Sequence, residues 1–100
     1  MKFVLYLTES EDDGGFTYHF SLTESELLSL ASMPYQKSAN EASELRLNHA
    51  GLNAYRLGNK ISFMYDNKGG RGSVYPKVTY AELEKALSDA YSERESMIRL

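Results

Sequence analysis

The sequence predicts an α+β fold, a small antiparallel sheet of about four strands with two to three helices packed on one face. Three observations carry this. Phe16-Thr17-Tyr18-His19-Phe20-Ser21-Leu22 alternates apolar and polar residues with the period of a half-buried strand. Thr23-Glu24-Ser25-Glu26 and Thr79-Tyr80-Ala81-Glu82 each precede an apolar stretch in the manner of a helix-starting capping box. Residues 54–57 and 61–65 flank Gly58-Asn59, a dipeptide suited to the tight turn of a hairpin.

Taken in order, Phe3-Val4-Leu5-Tyr6-Leu7 reads as a strand covered on both faces. The acidic stretch 9–15 ends in Gly14-Gly15 and makes this strand the first arm of an antiparallel hairpin with 16–22. Leu22 and Leu27 stand at the positions of a hydrophobic staple around Thr23, and Pro34 ends the following helix near Met33. Ser38-Ala39-Asn40-Glu41 matches a further capping box and Gly51 suits a helix C-terminus, so a short helix over about 39–50 is expected. Leu45-Arg46-Leu47-Asn48 alternates in the opposite sense, as a strand would.

After the hairpin, residues 66–73 hold Gly69, Gly70 and Gly72 and read as a long flexible loop. Val74-Tyr75 re-enters the sheet before Pro76, which cannot donate to a ladder and belongs at an edge. Val78 and Leu83 form the last staple. Leu83, Leu87, Ala90, Tyr91, Arg94 and Ile98 then recur at helical spacing, predicting a helix that runs to about Leu100, roughly 30 Å long.

One hundred residues make a single domain, 1–100. With no cysteine, the chain can form no disulfide, four-cysteine zinc site or thiolate nucleophile, which fits a reducing, cytoplasmic setting. The apolar run 3–7 is too short for a signal peptide, and no run approaches the ~20 apolar residues of a membrane span. No membrane association is expected.

The net charge of −3 hides a strong asymmetry. Residues 46–80 carry Arg46, Arg56, Lys60, Lys68, Arg71 and Lys77 against the single acid Asp66. Residues 1–45 hold eight acids against Lys2 and Lys37, and residues 81–100 hold five against Lys85, Arg94 and Arg99. Tyrosines at 55, 65, 75 and 80 fall inside the basic middle or at its edge.

Reactive constellations are missing from the sequence. Glu9-x-Glu11-x-Asp13-Gly14 opens like a calcium loop, but Phe20 stands where the bidentate glutamate belongs. It is better read as an acidic hairpin tip. His19 and His49 are the only histidines, and His19 lies opposite the apolar face of its strand, at the surface or partly covered by another layer. No serine sits in a Gly-x-Ser-x-Gly elbow. Lys68-Gly69-Gly70-Arg71-Gly72-Ser73 lacks the spacing of a phosphate-binding P-loop. No enzyme activity, catalytic residue, metal site or cofactor is therefore expected.

Recognition by surface remains. The expected function is that of a non-catalytic protein-binding module. In size and composition it is similar to small inhibitors of mobile-element or phage type, such as anti-restriction, anti-CRISPR or immunity proteins. The partner would be a larger nucleic-acid-handling or toxic protein, and the contact residues Tyr55, Arg56, Lys60, Tyr65, Lys68, Arg71, Tyr75 and Lys77. If 54–57 pairs with 61–65, Tyr55, Arg56, Lys60 and Tyr65 share one sheet region with Lys77. The alternative is direct nucleic-acid binding, in which cations meet phosphates and rings stack on bases. An uncovered edge at Val74-Tyr75 could pair with a second copy to give a homodimer.

Overall fold

The computed structural model describes residues 2–8, 17–35, 42–67 and 70–100. The chain runs β1 (Phe3–Thr8), β2 (Thr17–Leu22), α1 (Glu24–Ala31), β3 (Ser43–Leu47), β4 (Leu52–Leu57), β5 (Lys60–Asn67), β6 (Gly70–Val74), α2 (Tyr80–Glu93) and β7 (Met97–Arg99). It is an α+β fold, and the strands form two sheets where the sequence suggested one. A three-stranded sheet has the order β2-β1-β7, and a four-stranded antiparallel meander has the order β3-β4-β5-β6. Among the described residues there are two helices.

The first hairpin forms as its pattern requires. Leu22, Phe20 and Tyr18 pair with Phe3, Leu5 and Leu7, so the apolar positions of both strands share one face. His19 lies on the other face and is exposed. Both capping boxes close. The Thr23 hydroxyl accepts from the Glu26 amide at 3.1 Å while the Thr23 amide donates to the Glu26 carboxylate at 3.2 Å. Thr79 and Glu82 repeat this at 3.2 and 3.3 Å.

Three expectations are corrected. The helix expected over 39–50 is replaced in its described part by β3, where Leu45 and Leu47 turn toward the core and Glu44 and Arg46 toward solvent. Gly51 does need a positive φ (69°), but it supplies it to the turn joining β3 to β4 rather than to a helix end. Pairing along all of β3 outweighs a weak local helix signal. The proposed cap at Ser38 and Glu41 lies outside the described residues, as do the acidic hairpin tip at 9–15 and Phe16.

The last helix stops at Glu93, where Arg94 adopts the left-handed conformation (φ 55°). Met97–Arg99 then pairs in parallel with Val4, Leu5 and Tyr6 of β1. Ile98 is buried, as the helical pattern required, but from a strand.

The long loop expected over 66–73 is mostly ladder. Asp66 pairs with Arg71 and Tyr65 with Gly72, leaving only residues 68 and 69 outside the described strands. Gly72 makes this pairing feasible, because a Cβ at that position would overlap the Tyr65 ring.

One hydrophobic cluster joins everything. Phe3, Leu5, Leu7, Leu22 and Ile98 come from the first sheet; Leu47, Leu52, Ala54, Ile61, Phe63 and Val74 come from the second. Leu27, Leu30, Tyr80, Leu83 and Leu87 enter it from the helices. Tyr65 bridges the sheets directly, its ring 5.4 Å from that of Tyr18 and 6.1 Å from that of Phe20. Among the described residues, no helix is long and apolar enough to cross a membrane.

Candidate functional site

Strand alternation sorts the candidate residues before any contact is considered. In β4, Leu52 and Ala54 are buried, so Arg56 follows them inward while Asn53, Tyr55 and Leu57 point outward. In β5, Ile61 and Phe63 are buried, so Tyr65 follows them inward while Lys60, Ser62 and Met64 point outward. The register sets Tyr55 between Glu44 of β3 and Ser62 of β5, and Leu57 opposite Lys60. The helices pack on the inner side, where Arg56 meets Tyr80 of α2 and the Met33 carbonyl just beyond α1.

Tyr55, Lys60, Tyr75 and Lys77 come together on the outer side. They line an open groove of about 550 Å³ between the β4–β5 hairpin and the segment leading from β6 into α2. Leu57, Pro76 and Val78 supply its apolar lining. Tyr75 is 65% exposed, and both lysines are exposed. Among the described residues, neither Lys60 nor Lys77 takes part in an ion pair. Ion pairs seen among the described residues include Arg46–Glu44 at 3.5 Å, Lys85–Asp89 at 2.8 Å and Arg94–Glu24 at 3.1 Å. Tyr55 also borders a second, smaller depression of about 280 Å³ lined by Asn53, Met64 and Asp66.

Arg56 and Tyr65 do not belong to this face. The Arg56 guanidinium lies 3.7 Å from the Tyr80 ring centroid and 5.4 Å from that of Tyr35. Its Nε donates to the Gly58 carbonyl at 2.8 Å and a terminal nitrogen donates to the Met33 carbonyl at 2.6 Å. This cation fastens the β4–β5 turn to the chain leaving α1. Tyr65 fills the junction between the two sheets. The shared region expected for Tyr55, Arg56, Lys60 and Tyr65 is therefore split between two faces. Lys68 lies outside the described residues, and so does the side chain of Arg71.

Leu57, Pro76 and Val78 are groove residues that charge-and-aromatic reasoning passed over. The signal that would have found Leu57 is parity, since it shares the face of Tyr55. The same parity separates Tyr55 from Arg56, which are neighbours in sequence.

Perturbed ionisations lie away from the groove. The Arg94 guanidinium, hydrogen-bonded to Glu24, holds that carboxyl below its ordinary value, and Asp89 raises the ammonium pKa of Lys85. Burial pushes the Tyr80 hydroxyl up, against smaller opposing effects from the Met33 amide and the Arg56 charge. His19 sits beside Tyr6, ring centroids 6.1 Å apart, with Arg99 over the same tyrosine at 4.8 Å. No group of three or more His, Asp or Glu side chains among the described residues is placed to hold a metal ion.

The groove can therefore take an apolar group between two tyrosines and an anionic group at the ammonium ions of Lys60 and Lys77, which have no ion-pair partner among the described residues. No family model, no curated protein and no solved structure matches this chain.

Proposed function

We propose that the chain is a non-catalytic protein-binding module that docks a partner on the outer face of its four-stranded sheet. One observation carries the reading: Tyr55, Lys60, Tyr75 and Lys77 surround a single open, largely apolar groove. Tyrosine presents a large contact area at low entropy cost and is enriched at protein interfaces. The groove is open rather than enclosed, which suits a protein surface better than a small molecule needing most of its area buried. Its tyrosine, aliphatic and lysine lining binds rather than reacts.

The partner class we favour is a larger nucleic-acid-handling or toxic protein, with this chain as its inhibitor. The exposed acids of α2, Glu82, Glu84, Asp89 and Glu93, would complement a basic surface on such a partner. Direct nucleic-acid binding is the weaker reading. On the outer face Lys60 and Lys77 are the cations left over once Arg46 pairs with Glu44, among the described residues. Arg56 is turned inward.

A photo-crosslinking residue introduced at Tyr75 should give one discrete protein adduct in lysate. The same residue at Ser92 on α2 should give a different pattern or none. Adducts to oligonucleotide at Tyr75, with retention that collapses as salt rises, would replace this reading with the nucleic-acid one.

A further inference from the structure

Resting on the docking reading, we infer that the groove takes an acidic protein segment carrying one bulky apolar side chain. The two halves of that description come from two separate features. Tyr55, Leu57, Tyr75, Pro76 and Val78 form a mostly apolar stretch of the lining, which an apolar group covers at less desolvation cost than a polar one. Lys60 and Lys77 stand in the same lining with no ion-pair partner among the described residues. An aliphatic or aromatic side chain seated between the tyrosines brings its flanking residues to these ammonium ions. Flanking carboxylates are favoured there and flanking cations are repelled. Glu44, which faces the Tyr55 side of the sheet, is already engaged by Arg46 at 3.5 Å and so contributes little net repulsion.

Phosphates would satisfy the lysines equally well, but the pattern of cations argues for carboxylates. A nucleic acid presents charge at every residue and needs a track of cations, whereas among the described residues the groove offers two, Lys60 and Lys77, beside an apolar lining. A segment with one apolar residue and a few acids matches that ratio.

The test is a titration of the full chain, followed by two-dimensional amide NMR, with a blocked peptide holding one leucine among aspartates and glutamates. Its shifts should centre on Tyr55, Lys60, Tyr75 and Lys77. Replacing the leucine by serine should weaken binding by about tenfold to a hundredfold, as loss of a buried aliphatic side chain does. Lys60→Glu with Lys77→Glu should weaken it by about tenfold, and Lys60→Arg with Lys77→Arg should restore it. Lys2→Glu, outside the groove, should leave it unchanged.

Several outcomes overturn the inference. They are a neutral or basic peptide with the same leucine binding no worse, a single-stranded oligonucleotide binding the groove more tightly, and no peptide binding at all. Groove signals that shift with protein concentration alone would assign the site to a second copy of the chain. If crosslinking at Tyr75 captures a protein that these peptides do not displace, docking stands and the acidic occupant falls. If neither arm reports the groove, both readings fall together.

Discussion

The Arg56 guanidinium lies over the ring of Tyr80, 3.7 Å from its centroid, and both residues bind the same short piece of backbone leaving α1. The Tyr80 hydroxyl donates to the Leu30 carbonyl at 2.7 Å and accepts from the Met33 amide at 2.8 Å. Arg56 takes the Met33 carbonyl at 2.6 Å. The first residue of α2, the end of β4 and the C-terminal end of α1 are thereby joined at one point. Tyr80 is fully buried and every polar atom it carries is satisfied.

Removing the hydroxyl should therefore cost more than an ordinary surface hydrogen bond. Tyr80→Phe leaves the Leu30 carbonyl and Met33 amide unpaired in the core, a loss of about 1–3 kcal/mol. Arg56→Lys keeps the charge but not the planar stack or the two-pronged contact, and should cost about 1–2 kcal/mol. Because both hold the Met33 segment, the double variant should lose less than the two costs added. Urea denaturation measures all three, and strict additivity would show that the two residues act separately.

The same hydroxyl gives an alkaline signature. Burial raises its pKa in the folded chain above the ordinary value of 10.0, so above that value the unfolded chain releases a proton that the folded chain keeps. Tyr80's contribution to stability is then complete below pH 10 and declines as pH rises through its folded pKa. Tyr80→Phe should lower stability at neutral pH yet show a shallower decline in the alkaline range. Parallel slopes in melting temperature against pH would contradict this.

Gly72 and Tyr65 should prove to be a coupled pair. A Cβ on residue 72 would overlap the Tyr65 ring, which is itself held against Tyr18 and Phe20. Gly72→Ala should destabilise by about 1–3 kcal/mol, as overpacking does. With Tyr65→Ala already present the same change should be almost free, giving a coupling of about 1–3 kcal/mol. An equal cost in both backgrounds would remove the clash as the reason for glycine.

Much of the fold was legible because its signals are local. A hydroxyl three residues before a glutamate closes a capping box whatever lies elsewhere, and both described boxes, at Thr23 and Thr79, formed as read. The hairpin around Gly58 depends only on a positive φ at that glycine (58°) between two strand-forming runs. Segments with two competing local readings were not legible. Leu45 and Leu47 fit a strand, yet Gly51 fits a helix end equally well, and only the pairing partner β4 decides. Ile98 satisfies both a helical stripe and a buried strand, so the left-handed turn at Arg94 passed unseen.

For the candidate site, composition singled out a stretch of chain but not its two faces. The sequence by itself determined the residue types available between 46 and 80: cations, tyrosines and strand-forming aliphatics, with turns where glycine permits them. Only the tertiary structure decided which of them meet solvent. Adjacent residues on a strand point to opposite sides, so the direction of Tyr55 and Arg56 hung on where the helices packed. They packed against the side bearing Ala54 and Phe63, drawing Arg56 and Tyr65 into the interior and leaving Tyr55 and Lys60 outside. Charge and aromaticity belong to the residue, but exposure belongs to the core it is folded against.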